Sequence, residues 1–308
     1  MKEKILSLFT RWDPVLFPNQ SIYNQNLSKK ELFILFLVFL FTFSLLGFVI
    51  KPGGFIGFDW VHFFSQGSIP PFYPPWGKVI IQYLSWPLLV GLTLASFGIA
   101  AVRRAVHPVS LVVSFFALPL MWTIFLGQLE GISLLGLLWM PWLVPLALIK
   151  PQVAIFAFLS KKKYLIILFL FLLLSLFIWG LWPMKTLNVE SFYEEGRYVQ
   201  NIGLGWWGLP LALFMMWKSR GDMDMLMLSG CFFLPHLIPY NLLPLTPAIA
   251  RLSPKKAGFA FLLSWSPFLA NYIGPIGWWF GWLLIIWLWL SLAIKRYANK
   301  TFNNLLSR

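Results

Sequence analysis

The residues of this chain able to do chemistry are few, and they gather at the same ends of its apolar runs. Asp59 and His62 stand three apart in GFDWVHFF, a spacing that puts both on one face if the segment is helical. Gln128 and Glu130 follow an apolar run in GQLEG, and Lys150 ends another in ALIKPQ. Arg197 lies near Glu190, Glu194 and Glu195, while His236, Tyr240 and Asn241 share PHLIPYN. A carboxylate can take the proton of an attacking hydroxyl, and a cation can stabilise a departing phosphate. These are the parts needed to move a group from a lipid-linked phosphate to a hydroxyl. Plainer readings stay open at each position. Asp59 can cap a helix, His62 can be an interfacial histidine, Lys150 can snorkel to headgroups, and His236 to Asn241 can bond a broken backbone.

Several chemistries lack their motifs. There is no phosphate-cradling GxxxxGK[ST], no HExxH and no GxSxG, and no cysteine or histidine cluster has metal-ligand spacing. The single cysteine, Cys231, lies in an apolar run, where packing is its expected role and an internal disulfide is excluded. No cofactor is expected; Mg or Mn at the acidic residues stays open as an alternative, without a spaced carboxylate motif to hold it.

The elements that must position these residues are membrane helices. The chain has 308 residues, of which 59% are hydrophobic and 11% charged, with a mean hydropathy of +0.76. That composition describes an integral membrane protein, and its net charge of +14 is no sign of nucleic acid. At roughly 20 apolar residues per crossing, the runs allow about 9 to 11 spans including broken or re-entrant helices, an all-α polytopic transmembrane bundle. We expect one transmembrane domain over 31–296, with outer loops 51–78 and 184–205. A cytoplasmic segment 1–30 precedes it and a cytoplasmic tail 297–308 follows. Residues 2–12, KEKILSLFTRW, read as a surface amphipathic segment or a frayed tail. No cleavable signal is expected, so the first span would serve as one.

Charge position sets the orientation. With the N-terminus in the cytoplasm and alternate crossings thereafter, 19 of the 24 Lys and Arg residues fall inside. The others, Lys51, Lys78, Lys150, Lys185 and Arg197, share the outer side with Asp59, Glu130, Glu190, Glu194 and Glu195. The expected location is the cell membrane, with both termini cytoplasmic.

Spans are expected at 31–50, 79–102, 108–126, 164–182, 257–274 and 277–294. A descending run covers 209–222, and a Pro-interrupted pair fills 223–252. Residues 127–163 cannot form one clean helix, because Pro141, Pro145 and Pro151 each remove a backbone donor and clash with the preceding turn. The expected path dips inward through GISLLGLLW, returns through LVPLALIK and descends through PQVAIFAFL. It leaves Lys150 at an outer turn beside a cavity. Inverted internal repeats are not apparent.

The ordered set GFDWVHFF, PFYPPWGKVIIQYLSWP, GQLEG and ALIKPQVAIFAFLSKKKY resembles the polytopic glycosyltransferases that use polyprenyl-phosphate-linked sugars. These are the GT-C superfamily, and within it the chain resembles family 87, which includes polyprenyl-phosphate-mannose-dependent mannosyltransferases. NIGLGWWG and PHLIPYNLLPLTPA resemble later segments of that family, so the likeness spans about residues 57–250. It implies a GT-C-like fold and an inverting hexosyltransferase acting on the outer side, with mannose as the first hexose to test.

On that resemblance Asp59 becomes the general base, and His62 orients it or meets the phosphate. Lys150 meets the donor phosphate, with Arg197 and Lys78 as second choices. For Gln128 and Glu130, binding of sugar hydroxyls competes with plain helix-end hydrogen bonding and neither is favoured, while His236, Tyr240 and Asn241 line the cavity. Trp60, Tyr73 and Trp76 are the aromatic candidates. The implied partners are a polyprenyl-phosphate-linked sugar donor, a lipid, glycan or protein acceptor, and membrane lipids. The chain departs from the family by compression between Gln128 and Lys150 and by His-Leu-Ile-Pro-Tyr-Asn where a Ser-Pro-led run is usual. Rival readings are a transporter or lipid flippase, which would extend polar residues through the inner half, and a non-catalytic membrane subunit.

Overall fold

The structure, a computed structural model, describes residues 28–67, 73–187 and 197–306. The segment 1–27 and the three glutamates at 190, 194 and 195 lie outside the described residues, as do the side chains of the 297–308 tail. All named elements are helical, as expected for an all-α bundle, and five helices are long and apolar enough to cross a membrane.

Helix α1, Lys29–Val49, starts at a Ser28/Glu31 capping box and is 21 residues long. At 1.5 Å per residue it reaches about 31 Å, the thickness of a bilayer core. It runs antiparallel to α3, Trp86–Arg104. Close approach is possible because Gly47 faces Pro87, Gly91 faces Ser44 and Gly98 faces Phe39. Between apolar helices in lipid, such small-residue packing replaces the hydrophobic drive available in water. The expected span 79–102 starts late: α2, Pro75–Ile81, is a separate short helix. Ser85 caps α3 by accepting from the Leu88 amide at 3.4 Å, with Pro87 in the first turn.

The run 108–126 is likewise two pieces, α4 (Pro108–Phe115) and α5 (Leu118–Leu126), with Pro119 in the first turn of the second. Next come α6, Glu130–Leu138, α7, Val144–Ala147, and α8, Pro151–Ala154, which continues as a 3-10 helix over Ile155–Ser160. Together α6 and α7 form the expected hairpin. Gly136 packs on the Ala147 backbone, and the Ser133 hydroxyl contacts the carbonyls of Ala147 (2.6 Å) and Lys150 (3.2 Å). Trp139 at the tip meets Phe33 and Phe36 of α1 edge-on. Gly131, one residue into α6, lies against Thr93 of α3. Seven residues from Trp86, at 1.5 Å each, set that contact about 10 Å below the start of α3.

Next in the chain come α9 (Lys162–Trp179), long and apolar enough to cross a membrane, and the shorter α11 (Leu209–Ser219), α12 (Met223–Gly230) with a 3-10 turn over Cys231–Phe233, and a 13-residue 3-10 segment over Pro239–Arg251. They are joined by the short α10 (Trp182–Leu187) and by 3-10 turns at Arg197–Gln200 and Gly205–Gly208. The chain closes with α13 (Pro254–Trp265), a short α14 (Ala270–Ile273) and α15 (Gly281–Leu306). The last two expected spans, 257–274 and 277–294, are therefore jointed at Ser266–Leu269 and Pro275–Phe280. Helix α3 is central and mostly buried, whereas α1 and α9 are peripheral and mostly exposed.

The bundle has two chemically different ends. At one, Arg104 meets Asp224, Arg251 meets Asp222, Lys295 donates to the Arg251 carbonyl and Arg296 to that of Ser219. We refer to this as the basic end. At the other, the Gly57 amide bonds the Phe125 carbonyl and Ile202 bonds Leu237, close to Asp59 and Gln128.

Candidate functional site

Five stretches separated by up to 180 residues meet at the end opposite the basic one. A left-handed Gly127 (φ 74°) ends α5 and turns the chain so that Gln128 faces Asp59. A Cβ at Gly127 would stand 2.8 Å from Trp60 and 3.0 Å from Trp86, so only glycine fits both the angle and the space. The Gln128 amide donates to Asp59 Oδ2, and its oxygen lies 3.5 Å from the Tyr73 hydroxyl, which donates to it. Asp59 is half-buried and Gln128 is buried.

Deeper lies an ion pair. Lys150 Nζ stands 3.4 Å from Glu130 Oε1, and the two side chains are 7% and 2% exposed. Asn241 Nδ2 donates to the same Glu130 oxygen at 2.9 Å, and Asn241 Oδ1 accepts from the Ile238 amide at 2.9 Å. The ammonium group sits over two rings, 5.0 Å from the centre of Tyr73 and 5.2 Å from that of Tyr240. Cation–π contact of this kind strengthens as water is removed. Glu130 Oε2 is buried with no hydrogen-bond partner. His236, in the loop before the 239–251 segment, is partly buried. Burial and the Lys150 charge hold its imidazole down to about 4, so it is neutral at pH 7.

Asp59, Tyr73, Gln128, Glu130, Lys150 and Asn241 are thus brought together, with Tyr240 and His236 beside them. The expectations for His62 and Lys78 change, and of the two readings of Lys150 the plainer one falls. Lys150 does not reach toward headgroups; the hairpin turn buries it against Glu130. His62 is exposed, stacked on Phe58 at 4.2 Å with Nδ1 2.7 Å from the Phe58 carbonyl, because the turn over Trp60–Phe64 is a π-helix and not an α-helix. Lys78 is exposed on α2 and stays outside the cluster. The side chain of Arg197 lies outside the described residues. Trp76 is a packing residue: Phe171, Trp179 and Trp182 surround its ring, and its indole N–H donates to the Pro145 carbonyl at 2.9 Å. Trp60 is buried against Trp86.

The sequence reading missed a second charged group, at the basic end. Asp224 takes Arg104 through Nε and Nη2 (2.8 to 3.2 Å) and Arg251 Nη1 at 2.7 Å, and Arg251 also reaches Asp222 at 2.9 Å. The two guanidinium groups supply the opposite charge that a carboxylate buried this deeply requires. The available signal was an aspartate, Asp224, inside the otherwise apolar MDMLML run, which requires a cation from another element. No family model, curated protein or solved structure matches the chain.

Proposed function

We propose that this protein transfers a hexose, mannose being the first to test, from a polyprenyl-phosphate carrier to an acceptor hydroxyl, with inversion. One observation carries the reading: the fold gathers Asp59, Tyr73, Gln128, Lys150 and Asn241 around one point. These come from the separate motifs on which the resemblance to polyprenyl-phosphate-sugar-dependent glycosyltransferases rests.

In this reading Asp59, oriented by Gln128, takes the acceptor proton. The acceptor oxygen attacks the anomeric carbon from the face opposite the phosphate, and the carbon–oxygen bond to the phosphate breaks. The polyprenyl phosphate leaves with the electron pair, its charge met by Lys150. Tyr73 and Tyr240 fix the lysine and keep water from it. The basic end faces the cytoplasm by the positive-inside rule, which puts the Asp59 cluster on the outer side of the cell membrane and both termini inside. The test is transfer of labelled hexose from a panel of polyprenyl-phosphate sugars by purified protein in liposomes, with the anomeric configuration of the product read by NMR. Inverted product supports the reading; none from any donor refutes it.

The buried Arg104–Asp224–Arg251 group favours a second reading, a transporter or lipid flippase. It puts charge at both ends of the Pro239–Arg251 segment. That reading predicts carrier movement across liposomes without sugar transfer.

A further inference from the structure

Charge bookkeeping at the site makes demands on any anionic donor. The cluster holds two carboxylates, Asp59 and Glu130, and Lys150 is the one cation that the described residues place against Glu130. A phosphodiester entering beside Glu130 meets a buried carboxylate in a place with little water to screen the repulsion. If Lys150 turned to that phosphate, Glu130 would be left charged and 2% exposed, with only the Asn241 amide for support. A buried carboxylate stripped of its cation takes up a proton instead of remaining ionised. Glu130 also has a place for that proton, since its Oε2 has no partner.

Resting on the glycosyl-transfer reading, we propose that Glu130 is a donor-phosphate ligand that acts in its protonated form. On donor binding Lys150 Nζ shifts from Glu130 to a phosphate oxygen. One proton from solvent adds to Glu130 Oε2, and the new O–H donates to the same phosphate. Glu130 Oε1 keeps the Asn241 amide throughout. The sum is one phosphodiester and one proton bound together, neutral overall. Among the described residues, the groups facing Glu130 and Lys150 are Asp59 from the 57–59 turn, Tyr73 before α2, and His236, Tyr240 and Asn241 around the start of the Pro239–Arg251 segment. On release of the leaving phosphate the proton returns to solvent and the ion pair closes again.

The experiment is calorimetric titration of the full chain in detergent with a short-chain isoprenyl phosphomannoside, without acceptor. It is run at pH 7.5 in two buffers of different ionisation heat. The ligand is a phosphodiester with one charge throughout this range, so any proton counted belongs to the protein. Wild type should take up about one proton per ligand, and its affinity should fall about tenfold per unit as pH rises from 7.5 to 8.5. Glu130→Gln keeps the shape and the Asn241 contact; it should bind with no proton uptake and no pH dependence. Binding by wild type without proton uptake, or uptake unchanged in Glu130→Gln, overturns the proposal and leaves the transfer reading standing. The wild-type count needs no variant, so a misfolded Glu130→Gln protein does not blur the result. Absence of binding by wild type, with Lys150→Gln equally inert, refutes the phosphate-donor reading and the proposal with it.

Discussion

Replacing Asp224 by Asn should cost about 2 to 4 kcal/mol of stability at pH 7 while leaving the Asp59 cluster intact. Breaking a buried pair from one side gives about 3 to 5 kcal/mol, and Asn keeps one oxygen to accept from Arg104, which lowers that range. Arg104 and Arg251 would then share a neutral group, with Asp222 the remaining acid beside them. The pH course has a definite sign. The arginines pair with the carboxylate and not with the neutral acid, so its contribution is present at neutral pH and is lost once acid protonates it. The assay is equilibrium unfolding in mixed micelles, wild type against Asp224→Asn, at several pH values. A difference below about 0.5 kcal/mol at pH 7 would refute the buried network as a clamp, and so would a difference of unchanged size at the acid end.

Gly136→Val should prevent the hairpin from closing, because its side chain would occupy the Ala147 backbone; a loss of about 3 kcal/mol or more in the same unfolding assay is expected. Gly127→Ala combines a left-handed angle with contacts of 2.8 to 3.0 Å to Trp60 and Trp86, and should lower stability by about 2 kcal/mol and reduce transfer by displacing Gln128 from Asp59. Asn241→Asp keeps the size of the side chain but puts a second carboxylate against Glu130 Oε1. The expected result is donor binding at least about tenfold weaker, measured by the same titration.

The expected inward dip, return and descent through 130–160 was legible because three prolines and a lysine break an apolar run in fixed places. The ends of α3, α4 and α5 were less legible: the apolar pattern continues across Ser85 and Ala117, and only capping and the proline in each following turn mark the boundaries. At the site, the residue types pointed to Asp59, Gln128, Glu130, Lys150 and Asn241, yet nothing local to Lys150 says that it pairs with Glu130 twenty positions earlier. That pairing is set by the depth to which the hairpin returns. His62 misled for a local reason, since three-residue spacing means a shared face in an α-helix and not in a π turn. The basic-end network was hard to read because its partners, Arg104, Asp224 and Arg251, come from three distant elements; Asp224 inside an apolar run signals that a cation must meet it, but not which one.

The most direct test of the central claim is hexose transfer from polyprenyl-phosphate-mannose by the protein in liposomes, wild type beside Asp59→Asn. Asp59 lies outside the buried ion pair, so the variant should fold, and titration with the phosphomannoside checks that it still binds donor. Transfer by wild type and a fall of about 100-fold or more in the variant is the predicted result; equal transfer by both would contradict the assignment of Asp59 as the base.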